Sequence, residues 1–247
     1  MVRLSVNINK IATLRNSRGG AVPSVVAAAR VCVEAGAPGI TIHPRADQRH
    51  ITRQDVLDLA AFLAPLRDRV EFNIEGDPRE DLVALIHEVR PHQATFVPVL
   101  PDEITSQGGW PASASTAALP ETISGLRAAG IRVGLFVDPD EASVRWAAEM
   151  GADRVELFTE PFARAAARSD AAAEKSFAAC VRAARLAHSL GLGVNAGHDL
   201  DLENLVLFAT LPHLDEVSIG HALISQSVFD GLDSVVRAYV ALLEQTD

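Results

Sequence analysis

Short apolar or β-branched runs alternate along the chain with longer alanine- and leucine-rich stretches whose apolar residues recur every three to four positions. The short runs are 4–8 (LSVNI), 39–43 (GITIH), 70–75 (VEFNIE), 93–97 (QATFV), 132–137 (RVGLFV), 154–158 (RVELF), 193–196 (GVNA) and 216–220 (EVSIG). Helical patterns fall near 23–36, 53–66, 78–89, 119–129, 139–150, 171–190, 202–210 and 231–244. Pro23, Pro78 and Pro139 suit early helix positions, and Gly36, Gly130, Gly151 and Gly191 suit helix ends. Strict strand–helix alternation predicts a parallel sheet. Eight such units in 247 residues predict an α/β protein, a (β/α)8 TIM barrel with extra helices, formed by 1–247 as a single domain. A doubly wound open sheet is the alternative, but the first strand–helix loop, NKIATLRNSRGG, lacks the G-x-G-x-x-G of a dinucleotide fold. Two connections, 9–22 and 98–118, read as long loops, and the second is a candidate lid. An additional helical piece, 221–229, follows the last strand directly.

Composition narrows the class. At 48% hydrophobic residues the chain can bury a large core, yet no run of about eighteen uncharged apolar residues suggests a membrane span. The beginning, MVRLSVNINK, does not look like a signal peptide, and a cytoplasmic location is expected. Cys32 and Cys180 read as small buried side chains, not as a disulfide or metal pair. The net charge of −10 argues against a nucleic-acid or anionic-membrane partner. It is uneven, however. Residues 1–53 carry eight Lys/Arg against two acids, +6, and the remainder 14 against 30, −16. A local basic cluster on an acidic chain points to small anionic ligands.

In a barrel the chemistry stands at the C-terminal ends of the strands and in the loops that follow. Those positions hold Asn7, Asn9 and Lys10, then His43 and Arg45, then Glu75, then Thr105, Glu156, Asn195 and His198, and Gly220 with His221. Three imidazoles and two carboxylates thus converge on one end, and the opposite end shows few such groups. Each has a plain structural role open to it: Glu75 as a turn residue, Glu156 as a buried ion-pair partner, the histidines as donors to carbonyls. The remaining histidines, at 87, 92, 188 and 213, read as structural or surface groups. The last two loops and the piece after them form the corner where barrels often bind phosphate. Arg45, Arg49 and His50 offer a second anion site, which would suit two phosphorylated substrates or one bisphosphate. Only Lys10 and Lys175 exist, so a Schiff base has one poor candidate, and no H-x-H or H-E-x-x-H spacing suggests a metal. Metal-free acid/base chemistry by His and Glu is the simpler reading, with no cofactor. A metal-dependent sugar-phosphate isomerase or epimerase using Glu75, Glu156 and His198, or a non-catalytic sensor of phosphorylated ligands, stays open.

Seven segments, VNINKIATLRNSRGG, GITIHPRADQRHI, FNIEG, ITSQGG, VELFT, VNAGHDL and SIGHALI, together resemble the pyridoxine 5′-phosphate synthase family of vitamin B6 biosynthesis, from residue 4 to about 230. The resemblance implies a (β/α)8 barrel that condenses 1-deoxy-D-xylulose 5-phosphate with 3-amino-2-oxopropyl phosphate, giving pyridoxine 5′-phosphate, phosphate and water without a metal. It implies an acid/base pair at His43 and Glu75, a proton donor at His198 and a stabilising carboxylate at Glu156. It implies contacts to the aminoketone phosphate from Asn7, Arg18, Gly220 and His221. Asn9, Lys10, Arg45, His50 and Thr105 would contact the sugar phosphate, Asp199 would sit beside a phosphate, and the assembly would be a homo-octamer. Asn9-Lys10 stands where the family pattern has Asp-His, and Asp199 where it has glycine.

Overall fold

A computed structural model describes residues 1–99, 106–114 and 117–245. Eight parallel strands, β1 (Arg3–Asn7), β2 (Gly39–Ile42), β3 (Glu71–Gly76), β4 (Gln93–Phe96), β5 (Arg132–Val137), β6 (Arg154–Phe158), β7 (Gly193–Gly197) and β8 (Leu214–Ile219), close into a barrel in sequence order. The helices around them are α1 (Asn9–Asn16), α2 (Val25–Glu34), α3 (Arg53–Leu63), α4 (Glu80–Val89), α5 (Leu119–Ala128), α6 (Glu141–Glu149), α7 (Glu160–Ala166), α8 (Asp170–Ser189), α9 (Leu205–Phe208), α10 (His221–Asp230) and α11 (Leu232–Glu244). A single 3-10 turn, Ala64–Leu66, extends α3. The (β/α)8 expectation is borne out. No helix among the described residues is long and apolar enough to cross a membrane.

The strands alternate sharply. Leu4, Val6, Ile40, Ile42, Ile74, Leu135, Val155, Leu157, Ala196, Val217 and Ile219 are almost fully buried in the hydrophobic core. The intervening positions carry polar groups, where a typical barrel of this kind stacks aliphatic side chains. Ser5 and Thr41 share a 2.6 Å hydrogen bond, Asn73 donates to Thr41 at 3.3 Å, and Thr95 donates to Asn73 at 3.1 Å. Below this layer Glu71 accepts from Arg3 at 2.9 Å and from Arg132, while Asn195 joins Arg154 (2.7 Å) to Glu216 (3.1 Å). The N-terminal end is therefore rich in charged groups, contrary to the expectation that it holds few. Asn195 belongs to this lower network and not to the loop end. Strand stagger decides which inward residue sits high, and a linear reading of strand ends does not register it.

Local structure departs from expectation in four places. Residues 9–16 form α1, although Ile8 supplies no side-chain cap and only Ala12 of the helix is buried. The turn is held from outside: Arg15 pairs with Asp55, and Asn16 donates to the His50 carbonyl at 2.8 Å. A short helix, α7, follows β6 where none was expected. Pro23, Pro78 and Pro139 stand just before the N-caps Ser24, Arg79 and Asp140, outside the helices. Ser24 and Asp140 need extended backbone to accept from Ala27 and Ser143. The 202–210 helix shrinks to α9, because Asp201 and Asn204 bond each other's backbone and hold the preceding turn. Gly36, Gly130, Gly151 and Gly191 do end their helices with φ of +103°, +78°, +84° and +82°.

Candidate active site

A cavity of about 830 Å3 opens at the C-terminal end of the barrel, lined by residues of all eight strand–loop units. It brings together Asn7, Asn9, Lys10, His43, Arg45, His50, Glu75, Glu156, His198, Asp199, Gly220 and His221. Of the other expected residues, Thr105 lies outside the described residues. Arg18 is exposed beyond the end of α1 and does not line the cavity of its own chain. Sequence reasoning missed Thr13, Ser106, Gln107, Phe136, Glu160, Arg164 and Ser218 in the lining. Most of these are common surface residue types, and only three-dimensional placement marks them.

The floor is built by strand alternation. Glu75 and Glu156 are inward residues of β3 and β6, 8% and 4% exposed, so two carboxyl groups share a nearly dry site. Glu75 accepts from Asn7 and Ser218, each at 3.3 Å. Burial pushes its pKa up to about 7, against the Ser218 bond and with help from the Glu216 charge. Burial raises Glu156 well above the ordinary carboxylate range, and the nearby Glu75 and Glu216 raise it further. Its Oε2 is buried without a hydrogen-bond partner among the described residues. Gly197 makes room for it: a Cβ there would lie 2.6 Å from Glu156 Oε1.

His43 follows β2, and its Nδ1 lies 3.9 Å from Glu75 Oε2. Its Nε2 is buried and has no hydrogen-bond partner among the described residues, a costly arrangement that often marks a working site. Burial first, then His50, Arg45 and Arg79, lowers its pKa to about 3, so it stands as neutral imidazole. Asn9 accepts from the His43 backbone N–H at 2.8 Å and donates its own N–H to Asn7 at 3.1 Å, tying the first two loops together. Asn9 is thus a tie between loops as well as a lining residue. His50, with its Nδ1 accepting from the Ile51 N–H at 2.9 Å, is lowered to about 4 by burial, Arg45 and Lys10. Together with Arg49, these cations form an anion-favouring wall.

The opposite wall is the loop after β7 and the start of α10. His198 and Asp199 both have positive φ, +93° and +60°. This turn aims the His198 ring edge-on against Phe158, 5.2 Å between centroids, with Asp199 Oδ2 3.4 Å from Nδ1. The buried Thr159 hydroxyl donates to the Gly197 carbonyl at 2.7 Å and braces the turn. The hydrogen bond with His198 holds Asp199 below the usual carboxylate range despite partial burial. Gly220 caps α10 with no side-chain bond, and Gly220 and His221 at this helix N-terminus line the cavity. A Cβ at Gly220 would press on Asn7 at 3.1–3.2 Å. In the 98–118 connection, the described part is fastened to β5. Gly109 donates to Asp138 (3.0 Å), and the Trp110 backbone donates to Phe136 (2.8 Å).

A family model described as "Pyridoxal phosphate biosynthesis protein PdxJ" matches residues 4–245. The chain belongs to this family. A pyridoxine 5′-phosphate synthase of Porphyromonas gingivalis is 52% identical over 240 residues, covering 97% of this chain and 98% of the relative. Enzymes of the same name from Cytophaga hutchinsonii and Leptospira biflexa are 50% and 47% identical, covering 99% and 98% of this chain and 100% and 97% of theirs. The member described here is accordingly an enzyme of pyridoxine biosynthesis. Phosphoribosyl anthranilate isomerase of Thermotoga maritima superposes with a TM-score of 0.62 at 12% identity, covering 99% of this chain and 100% of that one, a likeness of fold alone.

Proposed function

We propose that this family member is a pyridoxine 5′-phosphate synthase, joining 1-deoxy-D-xylulose 5-phosphate and 3-amino-2-oxopropyl phosphate by acid/base catalysis without a resident metal. The observation that carries the reading is the placement of His43, Glu75, Glu156 and His198 in one cavity between two anion-favouring walls. Each wall suits one phosphate: Lys10, Arg45, Arg49 and His50 for the sugar phosphate, Gly220, His221 and the α10 N-terminus for the aminoketone phosphate. The amine then adds to the ketone. Loss of two water molecules, loss of phosphate and ring closure follow, and every step moves protons.

The side chains suit those transfers. Glu75, with a pKa of about 7, exchanges a proton near neutral pH at little cost. His43 is neutral, so its Nε2 can accept a proton from substrate. Glu156 keeps its proton until an ammonium or iminium forms beside it, and then stabilises that cation as a carboxylate. His198, in contact with Asp199, donates to the leaving oxygen. Among the described residues, no three His, Cys, Asp or Glu side chains form a set able to hold a metal ion, which weighs against the isomerase reading. The exposed Leu14, Val22, Val228 and Phe229 favour assembly with further copies, up to the octamer. Buried free thiols at Cys32 and Cys180 suit a cytoplasmic setting.

The test is turnover of the two substrates in the presence of a strong chelator, with product followed by fluorescence and mass and phosphate by release. One phosphate per pyridoxine 5′-phosphate, at the rate seen without chelator, is expected. Loss of turnover in chelator that returns with added divalent metal would overturn the metal-free reading.

A further inference from the structure

We propose that Arg79 is a positioning residue that clamps the loop carrying His43 to the loop carrying Glu75. This rests on the acid/base roles given to those two residues above.

Arg79 is the N-cap of α4 and does not line the cavity. Its guanidinium is engaged on every nitrogen. Nη2 donates to the Pro44 carbonyl at 2.6 Å, directly after His43. Nη1 donates to Asp77 Oδ1 at 2.6 Å, two residues after Glu75. Nε lies 3.0 Å from Asp81 Oδ1. The Arg79 backbone N–H also donates to the Asp77 carbonyl at 2.8 Å, so the β3–α4 turn is pinned twice. Between the two loops lies Gly76, at φ +156°, where a Cβ would strike Leu82 at 2.4 Å and lie 3.7 Å from both Arg79 Nη1 and the His43 ring. The glycine brings the imidazole and the guanidinium onto one small patch of backbone. A planar fork can hold two acceptors in fixed directions, whereas a lysine ammonium reaches one of them.

The clamp has a chemical consequence. His43 and Glu75 are 3.9 Å apart on different strand–loop units, and their relative placement depends on the two loops keeping register. A displacement of about 1 Å at such a pair can cost about a hundredfold in rate. Burial above all, then His50 and Arg45, holds His43 neutral, and the Arg79 charge adds in the same direction. The charged and titratable groups facing His43 are Arg45, Asp47 and His50 from its own loop, and Glu75 and Arg79 from the β3 side. Arg79 is the cation among these that comes from a different loop.

The experiment uses the full chain as Arg79→Gln, Arg79→Lys and Asp77→Asn. Arg79→Gln is expected to lower kcat by about ten- to a hundredfold while leaving KM for both phosphorylated substrates within about twofold. Arg79→Lys restores the charge without the fork, so it should keep a wild-type pH profile and still lose most of kcat. Asp77→Asn, a milder change, should show a smaller loss of the same kind and decides the matter if Arg79→Gln does not fold. The His43 imidazole signal, followed by NMR and assigned with His43→Gln, should begin to titrate at higher pH in Arg79→Gln but not in Arg79→Lys. Full kcat in Arg79→Gln or in Arg79→Lys overturns the clamp, and so does a loss expressed only in KM. If the wild-type protein makes no pyridoxine 5′-phosphate, the functional reading fails by itself. The imidazole titration still tests the link between Arg79 and His43, and an unchanged titration in Arg79→Gln counts against it.

Discussion

Replacing Glu75 by glutamine should make the protein more stable at pH 8 and leave its stability nearly unchanged at pH 5. Glu75 is 8% exposed and holds its proton up to about pH 7, against 4.5 for a free glutamate. In the unfolded chain the group ionises near 4.5, so folding loses stability as the pH rises from there to about 7, and no more above it. At about 1.4 kcal/mol per pH unit, that interval amounts to about 3 kcal/mol of strain at pH 8 and under about 1 kcal/mol at pH 5. Glutamine removes the ionisation but cannot accept from both Asn7 and Ser218, whose bonds are long at 3.3 Å. One weak bond lost costs about 1 kcal/mol at any pH. The net is a gain of about 2 kcal/mol at pH 8 and roughly none at pH 5. For a chain of this size that is a rise in Tm of about 4–8 °C at pH 8. Relief of Glu156, which also feels the Glu75 charge, acts in the same direction. Thermal unfolding of wild type and Glu75→Gln side by side at the two pH values reads the difference, and turnover should vanish in the variant. An equal change in Tm at pH 5 and pH 8 would refute the reasoning, because Glu75 would then ionise as an ordinary surface carboxylate.

Three further outcomes follow from single features. Asp55→Ala removes the partner of Arg15 and the return bond of the Thr52 capping box. It should cost about 3 kcal/mol in chemical denaturation, and unchanged stability would show that α1 does not depend on that pair. Gly197→Ala places a methyl group 2.6 Å from Glu156 Oε1, so kcat should fall at least about tenfold with KM little changed; wild-type kcat would mean the carboxyl position is unimportant. Burial raises the thiols of Cys32 and Cys180, to about 12 and about 11, so neither should react with a disulfide reagent at pH 8 until the chain unfolds; rapid reaction of the native protein would contradict the buried placement.

The barrel was legible because each strand pairs with the next in sequence, so local periodicity already contained the topology. The candidate site was legible for a related reason. A parallel barrel delivers every strand end to one face, and reading those ends found His43, Glu75, Glu156 and His198 without knowledge of any contact. What could not be read depends on contacts between distant residues. Helix α1 has weak local signals and is fixed by Arg15 meeting Asp55, forty residues away. The charged network at the opposite end joins Arg3, Glu71 and Arg132, whose separations of 68 and 61 residues leave no local trace. Asn195 reads as a loop-end residue because it stops an apolar run, yet its partners are Arg154 and Glu216 in the lower barrel. The departures at Asn9 and Asp199 acquire physical meaning only in three dimensions. Asn9 holds the backbone of His43, and Asp199 lies 3.4 Å from the ring of His198.

The central claim is that one cavity joins two phosphorylated substrates through His43 and Glu75. It is tested most directly by mixing the purified protein with deoxyxylulose phosphate and freshly prepared aminoketone phosphate and following pyridoxine 5′-phosphate by mass. The account predicts product from the wild-type chain and none from well-folded His43→Ala or Glu75→Gln. Product formed at the wild-type rate by either variant, or no product from folded wild type, would contradict it.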